Sequence, residues 1–219
     1  KMFEPIEKVI PLLESQGYEV NDPWDIVDIF EKKLANFAGS KYAVSVDNCT
    51  DGMFLCLKYL NFQGEITIPS KTWLSVPGMI KHAGCNVKFE DFEWSGVYQL
   101  KPTLVYDGAT RFTKGMYIPG SYQCVSFHHR KILKIGKGGM IFTDDEEAYE
   151  WFKIARYEGR NLKVPYEEDD HKILGWNMYM TPEQAARGLI LFEDIELEND
   201  DTGGDWAYKD LSGYDIFKK

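Results

Sequence analysis

The sequence predicts an α/β fold in which a mixed, mainly parallel sheet is covered by helices on both faces. Short apolar runs alternate with helix-like segments from residue 42 to residue 157. This alternation is typical of βαβ units, whose crossover connections place helices on both faces of a sheet. The chain has 219 residues, of which 44% are hydrophobic and 15% aromatic. That composition supports one substantial core and excludes a predominantly disordered chain.

The first well-marked helix covers residues 22–37. Asp22 can cap it, Pro23 suits its first turn, and Gly39 is placed to end it. Apolar side chains recur on one broad face of the segment. We therefore expect this face to pack against the core.

Strands and helices then alternate along the chain. The predicted strands are residues 42–46, 65–68, 87–89, 104–106, 124–127 and 140–143. The predicted helices are residues 50–60, 72–83, 145–157 and 181 to about 197. The last of these begins with Thr181-Pro182-Glu183-Gln184, which is a capping box with proline at the first helical position.

The composition changes after the last helix. Residues 193–205 are rich in acids, contain Gly203-Gly204 and include few apolar side chains. We predict a large domain of residues 1–197, which starts with a helical segment (residues 1–39). We predict that residues 198–219 form an acidic C-terminal tail with one docked aromatic segment.

Charge and cysteine content narrow the classes of function. The chain has 25 Lys and Arg against 35 Asp and Glu, a net charge of -10, which argues against nonspecific nucleic-acid binding. No apolar run approaches the ~20 residues that a membrane helix needs. The N-terminal stretch carries charges and a proline, unlike a signal peptide. The four cysteines form no CxxC pair, so we expect free thiols, no metal and a cytoplasmic protein.

Polar residues follow several predicted strands, where ligands bind in α/β sheets. The turn at residues 47–52 leads directly into a helix, so its free N–H groups either cradle a phosphate or are simply capped by Thr50. Asp107 follows three apolar residues. It is either a turn residue or the partner of a buried cation.

Another predicted strand is followed by His128-His129-Arg130-Lys131 and then by a glycine-rich turn. The adjacent histidine side chains diverge and no third ligand is spaced to join them, so we expect no metal there. A partly desolvated lysine beside other cations loses its proton readily and can bond covalently to a carbonyl. The alternative for Lys131 is an ordinary solvated surface lysine.

In their order and spacing, these segments resemble the DegT/DnrJ/EryC1/StrS sugar aminotransferases, which are pyridoxal phosphate (PLP) enzymes of fold-type I. The resemblance extends from about residue 30 to residue 194, and its most specific part is the SFxxxKxLxxGxGG stretch. The matching segments are FEKKLANFAGSKYAVSVDNCTDGMFLCLKYL, ITIPSKTWLSVPGMIKHAGCNVKFEDF, LVYDGATRFTKG, SFHHRKILKIGKGGMIFTDD and GWNMYMTPEQAARGLILFEDI.

The resemblance implies a fold-type I PLP-transferase large domain and gives roles to eight residues. Lys131 matches the lysine that binds the cofactor as a Schiff base and later acts as general base. Asp107 matches the acid that keeps the pyridine nitrogen protonated, so that the ring can withdraw electrons. The other matches are Trp73 on the ring face, Thr50, Asp51 and Ser126 at the phosphate, Thr110 where the family commonly has Gln near the ring hydroxyl, and Asn177 at the phosphate of the neighbouring subunit.

The implied activity is transfer of an amino group, expected to come from glutamate, to a nucleotide-linked keto-sugar, in a homodimer with shared active sites. From the resemblance, we expect the chain to lack the family's small C-terminal domain. One alternative is a PLP- or PMP-dependent sugar dehydratase, although that branch typically replaces the lysine at position 131 by histidine. The other is a non-catalytic PLP-fold binding protein, suggested by the altered phosphate turn at residues 48–51.

Overall fold

The computed structural model describes residues 4–218; residues 1–3 of the predicted N-terminal segment and residue 219 of the predicted tail lie outside them. The helices are α1 (Glu4–Ser15), α2 (Pro23–Ala38), α3 (Cys49–Tyr59), α4 (Ser75–His82), α5 (Glu146–Ala155) and α6 (Pro182–Phe192). The strands are β1 (Tyr42–Val46), β2 (Glu65–Pro69), β3 (Asn86–Glu90), β4 (Tyr98–Gln99), β5 (Val105–Asp107), β6 (Tyr122–Ser126) and β7 (Gly139–Thr143).

The strands form a five-stranded mixed sheet and a two-stranded parallel sheet. Five of them are ordered β1-β7-β6-β5-β4, and β2 pairs with β3 in parallel. Strands β5 and β6 are parallel, whereas β7 is antiparallel to both of its neighbours and β4 is antiparallel to β5. Backbone hydrogen bonds between Thr67 and Lys101 connect β2 to the chain just beyond β4. The predicted α/β class with a mixed sheet is confirmed.

Helices cover both faces of this sheet. Apolar side chains of α1, α2 and α6 form one core with residues of β6 and β7. Those of α3, α4 and α5 form a second core with residues from β1, β2 and β6. Alternate strand residues point to opposite faces, which is why one strand contributes to both cores. No helix within residues 4–218 is long and apolar enough to cross a membrane.

The predicted ends of α2 are confirmed. The Asp22 carboxylate accepts a hydrogen bond from the Trp24 N–H at 2.8 Å, and Asp25 completes a capping box. Gly39 ends the helix with φ 86°, in the left-handed region that glycine adopts without a Cβ clash. Helix α6 has the predicted capping box but ends at Phe192 instead of about residue 197. Acidic side chains beyond Phe192 are unfavourable at the negative end of a helix dipole.

Residues beyond α6 pack back on the domain. They include the short 3-10 helices Asp205–Ala207 and Asp215–Phe217. Leu211 is fully buried, and its N–H donates to the Ser70 carbonyl at 2.8 Å. Phe217 meets the Phe89 ring edge to face, with the ring centroids 6.0 Å apart. This segment therefore covers the end of the sheet that carries β2 and β3.

Candidate active site

A cavity of about 530 Å³ opens where β1, β5 and β6 end. This volume is typical of small-molecule sites, and the carboxyl ends of strands are where such sites form in α/β sheets. The turn after β2 and the chain beyond α6 complete its wall. Predicted site residues that line the cavity are Thr50, Trp73, Asp107, Thr110, Ser126 and Lys131.

Asp107 lies at the end of β5 and is only 6% exposed. Its carboxylate accepts hydrogen bonds from the Tyr98 hydroxyl at 2.8 Å and from the Ala109 N–H at 2.9 Å. Burial raises the pKa of Asp107, although these donors and the charge of Lys131 oppose the rise. The Cys49 thiol, 3.9 Å from the carboxylate, has its pKa raised by its own burial and by Asp107, so it stays protonated. The wall thus presents one carboxylate without a directly paired cation.

Lys131 follows the end of β6 in a turn closed by its own N–H, which donates to the His128 carbonyl at 2.8 Å. Its side chain is half-buried and faces the cavity. In the part of the chain that the structure describes, its amine makes no ion pair and no hydrogen bond. Because the amine is free and faces the same cavity as Asp107, it is accessible to a molecule bound there.

The next three predicted residues present an aromatic face and two hydroxyls. Trp73 is 55% exposed. Thr50 stands in the first turn of α3 and shares a 2.8 Å hydrogen bond with the Ser75 hydroxyl. The Ser126 hydroxyl accepts a hydrogen bond from the His128 N–H at 3.3 Å. An aromatic face and hydroxyls at a helix N-terminus suit a flat ring that carries an anionic group.

Thr110 is buried, and its hydroxyl already has hydrogen-bond partners within the chain. It donates to the Gly203 carbonyl at 2.9 Å, and the Gly96 carbonyl is 3.2 Å away. The Thr110 carbonyl accepts from the Thr202 N–H at 2.9 Å. Thr110 therefore connects the cavity wall to the chain beyond α6.

Two predicted site residues do not line the cavity. The Asp51 carboxylate accepts a 2.7 Å hydrogen bond from the Asn48 amide, so it turns toward the helix cap. Asn177 is exposed, and its amide donates to the Glu158 carboxylate at 2.8 Å. Within one chain, neither side chain is placed to touch a molecule in the cavity.

The structure adds lining residues that sequence reasoning missed. Arg130 and Lys137 bring positive charge to the wall on the Lys131 side, and Lys137 pairs with Asp47 at 2.7 Å. Trp94 and Tyr208 bring aromatic surface on the opposite side. The positions of Arg130 and Lys137 near the glycine-rich turn were a usable signal. Trp94 lies two residues after one of the matching segments, and Tyr208 lies in the predicted tail, but neither position carried a signal for the site.

The histidines do not form a metal centre with their neighbours. The expectation that these two side chains diverge is wrong, because the rings of His128 and His129 lie 4.0 Å apart. Burial, followed by the charges of His129, Lys131 and Arg130, lowers the pKa of His128. No group of three or more His, Cys, Asp or Glu side chains is placed to hold a metal ion among residues 4–218. His128 therefore faces the cavity as a neutral imidazole at neutral pH.

The fold and the order of the site residues along the chain point to a class of aminotransferases. The sequence model of the DegT/DnrJ/EryC1/StrS aminotransferase family matches residues 5–119 and 118–203. The chain belongs to this family.

The chain is also similar in sequence and in fold to individual proteins. The chain is 26% identical to the spore coat polysaccharide biosynthesis protein SpsC of Bacillus subtilis, over 96% of this chain and 68% of SpsC. It is 23% identical to GDP-perosamine synthase of Escherichia coli O157:H7, over 91% of this chain and 64% of that enzyme. The crystal structure of AtS13 from Actinomadura melliaura has the same fold, with a TM-score of 0.72, 20% identity, and coverage of 87% of this chain and 64% of AtS13. The chain thus spans about two thirds of the length of these relatives.

Proposed function

We propose that this protein is a PLP-dependent sugar aminotransferase. The observation that carries the proposal is that two groups line one cavity. They are the Lys131 amine, which has no hydrogen-bond or ion-pair partner among residues 4–218, and the buried Asp107 carboxylate. The match to an aminotransferase family and a relative named GDP-perosamine synthase support the reaction class.

The residues present fit the cofactor. A buried carboxylate with a raised pKa is stabilised when a cation approaches it, and the protonated ring nitrogen of PLP is such a cation. Thr50 and Ser126 offer hydroxyls to its phosphate beside the N-terminus of α3. Trp73 offers a face to its ring. Asp51, which would repel a phosphate, is turned away.

When bound, PLP supplies an electron sink for the Cα of an amino acid. The chain's own contribution is to hold and move protons around it. Asp107 would hold the proton on the ring nitrogen. The Tyr98 hydroxyl and the Ala109 N–H fix the orientation of the Asp107 carboxylate. Lys131 would hold the cofactor covalently, and its free amine would move the proton at the substrate carbon.

The proposed donor is glutamate and the proposed acceptor is a nucleotide-linked keto-sugar. Arg130 and Lys137 line the wall on the Lys131 side and favour anionic substrates, although the whole chain has a net charge of -10. We also propose a homodimer in which Asn177 reaches the site of the other subunit, and a cytoplasmic location. The four cysteines, buried and unpaired, suit a reducing compartment.

Borohydride reduction tests the cofactor. We expect PLP to be trapped on Lys131, as located by peptide mass mapping, and glutamate to convert the unreduced spectrum to that of the amine form. Lys131→Ala should abolish trapping. Lys134→Ala, an exposed lysine in the same turn, should leave it unchanged. An adduct on another lysine would refute the assignment, and trapped PLP that no amino donor converts would favour a non-catalytic binding protein.

A further inference from the structure

Residues 198–211, here called the C-terminal strap, are tied to the wall of the cavity. Asp201 forms two hydrogen bonds with the Arg111 guanidinium, at 2.7 and 2.8 Å, and accepts a third from the Ser95 hydroxyl at 2.7 Å. The two-point contact between a carboxylate and a guanidinium fixes orientation as well as distance. The strap therefore has a defined position relative to the cavity.

Two glycines allow the strap to approach closely. Gly96 has φ 70°, and a Cβ on it would overlap the Asp201 carboxylate. A Cβ on Gly204 would overlap the Trp94 carbonyl oxygen. The N–H of Gly96 also donates to the Gly203 carbonyl at 2.9 Å. Backbone contacts of this kind require both chains to be in place, so the strap is built into the wall.

Tyr208 is the aromatic residue of the strap that lines the cavity. Its ring stacks on Trp94, with centroids 5.9 Å apart and planes 11° from parallel, and it meets Trp73 edge to face at 6.3 Å. Among residues 4–218, no group forms a hydrogen bond with its hydroxyl. The ring is thus fixed by packing while the hydroxyl remains available to a ligand.

The Tyr208 hydroxyl is a donor on the Asp107 side of the cavity. Burial, followed by the negative charges of Asp107 and Cys49, raises its pKa to about 12. It therefore keeps its proton at any ordinary pH. The phenolic oxygen is the hydrogen-bond acceptor of pyridoxal nearest to the ring nitrogen, which Asp107 would hold. The hydroxyl of Thr110, which also lines the cavity, is already hydrogen-bonded to the strap.

We propose that Tyr208 is a cofactor-contacting residue whose hydroxyl donates a hydrogen bond to the phenolic oxygen of PLP. This inference rests on the proposed function and extends it. Thr110 then acts as a positioning residue, because it holds the strap that carries the donor. A donor to the phenolic oxygen favours its deprotonated form. It therefore lowers the pH at which the bound cofactor titrates.

Tyr208→Phe tests the contact, because it keeps the stacking ring and removes only the hydroxyl. We expect PLP to bind about 10- to 150-fold more weakly, which is the range for one hydrogen bond to a charged acceptor. The absorbance of the bound cofactor should titrate at higher pH than in the wild type. Tyr214→Phe is the control: Tyr214 lies on the same tail and bonds Lys209, outside the cavity, so both values should stay unchanged.

The outcomes separate the two proposals. If the wild type takes up no PLP, the proposed function fails and this inference fails with it. If the wild type carries PLP on Lys131 but Tyr208→Phe matches it in affinity and in titration, this inference alone fails. A shifted titration in Thr110→Val, with none in Tyr208→Phe, would assign the contact to Thr110 and overturn the proposal.

Discussion

At the scale of single residues, Asp107 is placed where it costs stability in the cofactor-free protein. Its carboxylate is buried, and its nearest groups are hydrogen-bond donors rather than a paired cation. Burial disfavours the charged form, so the fold binds a proton at Asp107 more tightly than the unfolded chain does. Such a residue is typical of a site that is completed by a ligand.

Asp107→Asn should therefore change stability and activity in opposite directions. A folded-state pKa above the unfolded value means that Asp107 contributes stability below pH ~4 and loses that contribution as the pH rises through its folded pKa. We expect the cofactor-free variant to melt at or above the wild-type temperature at pH 7, with the difference vanishing toward pH 4. Amino transfer should fall by about 10²- to 10³-fold, because the ring nitrogen loses its charge partner. A much lower melting temperature at pH 7, or near-normal turnover, would contradict this role.

The same residues show what local sequence can reveal about a site. Asp107 and Lys131 follow apolar runs that end at one edge of the sheet, so their proximity could be predicted from topology. Tyr208 reaches the cavity from the tail, and Tyr98, on a two-residue strand, donates a hydrogen bond to Asp107 in the cavity wall. No periodicity marks either position, because contacts between distant segments are set by packing. Asn48 caps α3 and donates a hydrogen bond to the Asp51 carboxylate. Local sequence could suggest the cap but not the direction in which the Asp51 side chain points.

At the scale of elements, edge strand β1 is protected by a buried ion pair. The Ser45 N–H donates to the Glu31 carboxylate at 2.9 Å, and the Arg156 guanidinium donates to the Ser45 carbonyl. Glu31 belongs to α2, and Arg156 ends α5 and also pairs with Glu31. Without these two partners, the backbone N–H and carbonyl of Ser45 would be buried with no hydrogen bond. Burial would raise the pKa of Glu31, but Arg156 and Lys153 outweigh it and lower the pKa to about 2.

Glu31→Gln should destabilise the protein by about 3 to 5 kcal/mol, because it leaves the Arg156 charge buried without its partner. Since the folded pKa of Glu31 is depressed, its contribution is present above the unfolded value and is lost as the pH falls toward about 2. Urea unfolding at pH 7 measures the effect. Asp28→Asn is the control: it removes the ion pair with Lys153 at 2.7 Å, but Asp28 is exposed, so the loss should stay below about 1 kcal/mol. Equal losses in both variants would refute the buried pair as the cause.

Elements with local signals were predictable, and those without were not. Both caps of α2 are encoded within the helix and its flanking residues, and its limits were predicted closely. Strand β4 has two residues, too few for any period, and exists only because it pairs with β5. The predicted helix at residues 72–83 begins at Ser75, since Thr72 and Trp73 form the turn that lines the cavity.

At the scale of the whole molecule, one segment between α5 and α6 is not covered by the rest of the chain. Leu174 is 93% exposed, and Leu162 and Tyr166 are also exposed. Large apolar side chains concentrated in one exposed segment are typical of an interaction surface. Asn177 lies on the same segment and outside its own cavity. Both observations are consistent with the proposed homodimer, in which Asn177 contributes to the other subunit's site.

Light scattering of the wild type and of Leu174→Asp tests this assembly. We expect the wild type to be a C2 dimer, the commonest symmetric oligomer, and the variant to dissociate because a charge replaces an apolar contact. If Asn177 reaches the partner's site, dissociation should also weaken PLP binding, and Asn177→Ala should weaken it without dissociating the dimer. Ile216→Asp is the control: Ile216 is likewise an exposed aliphatic residue, but it lies on the tail, so both readouts should match the wild type. A wild-type monomer that binds PLP and transfers amino groups would show that each chain completes its own site.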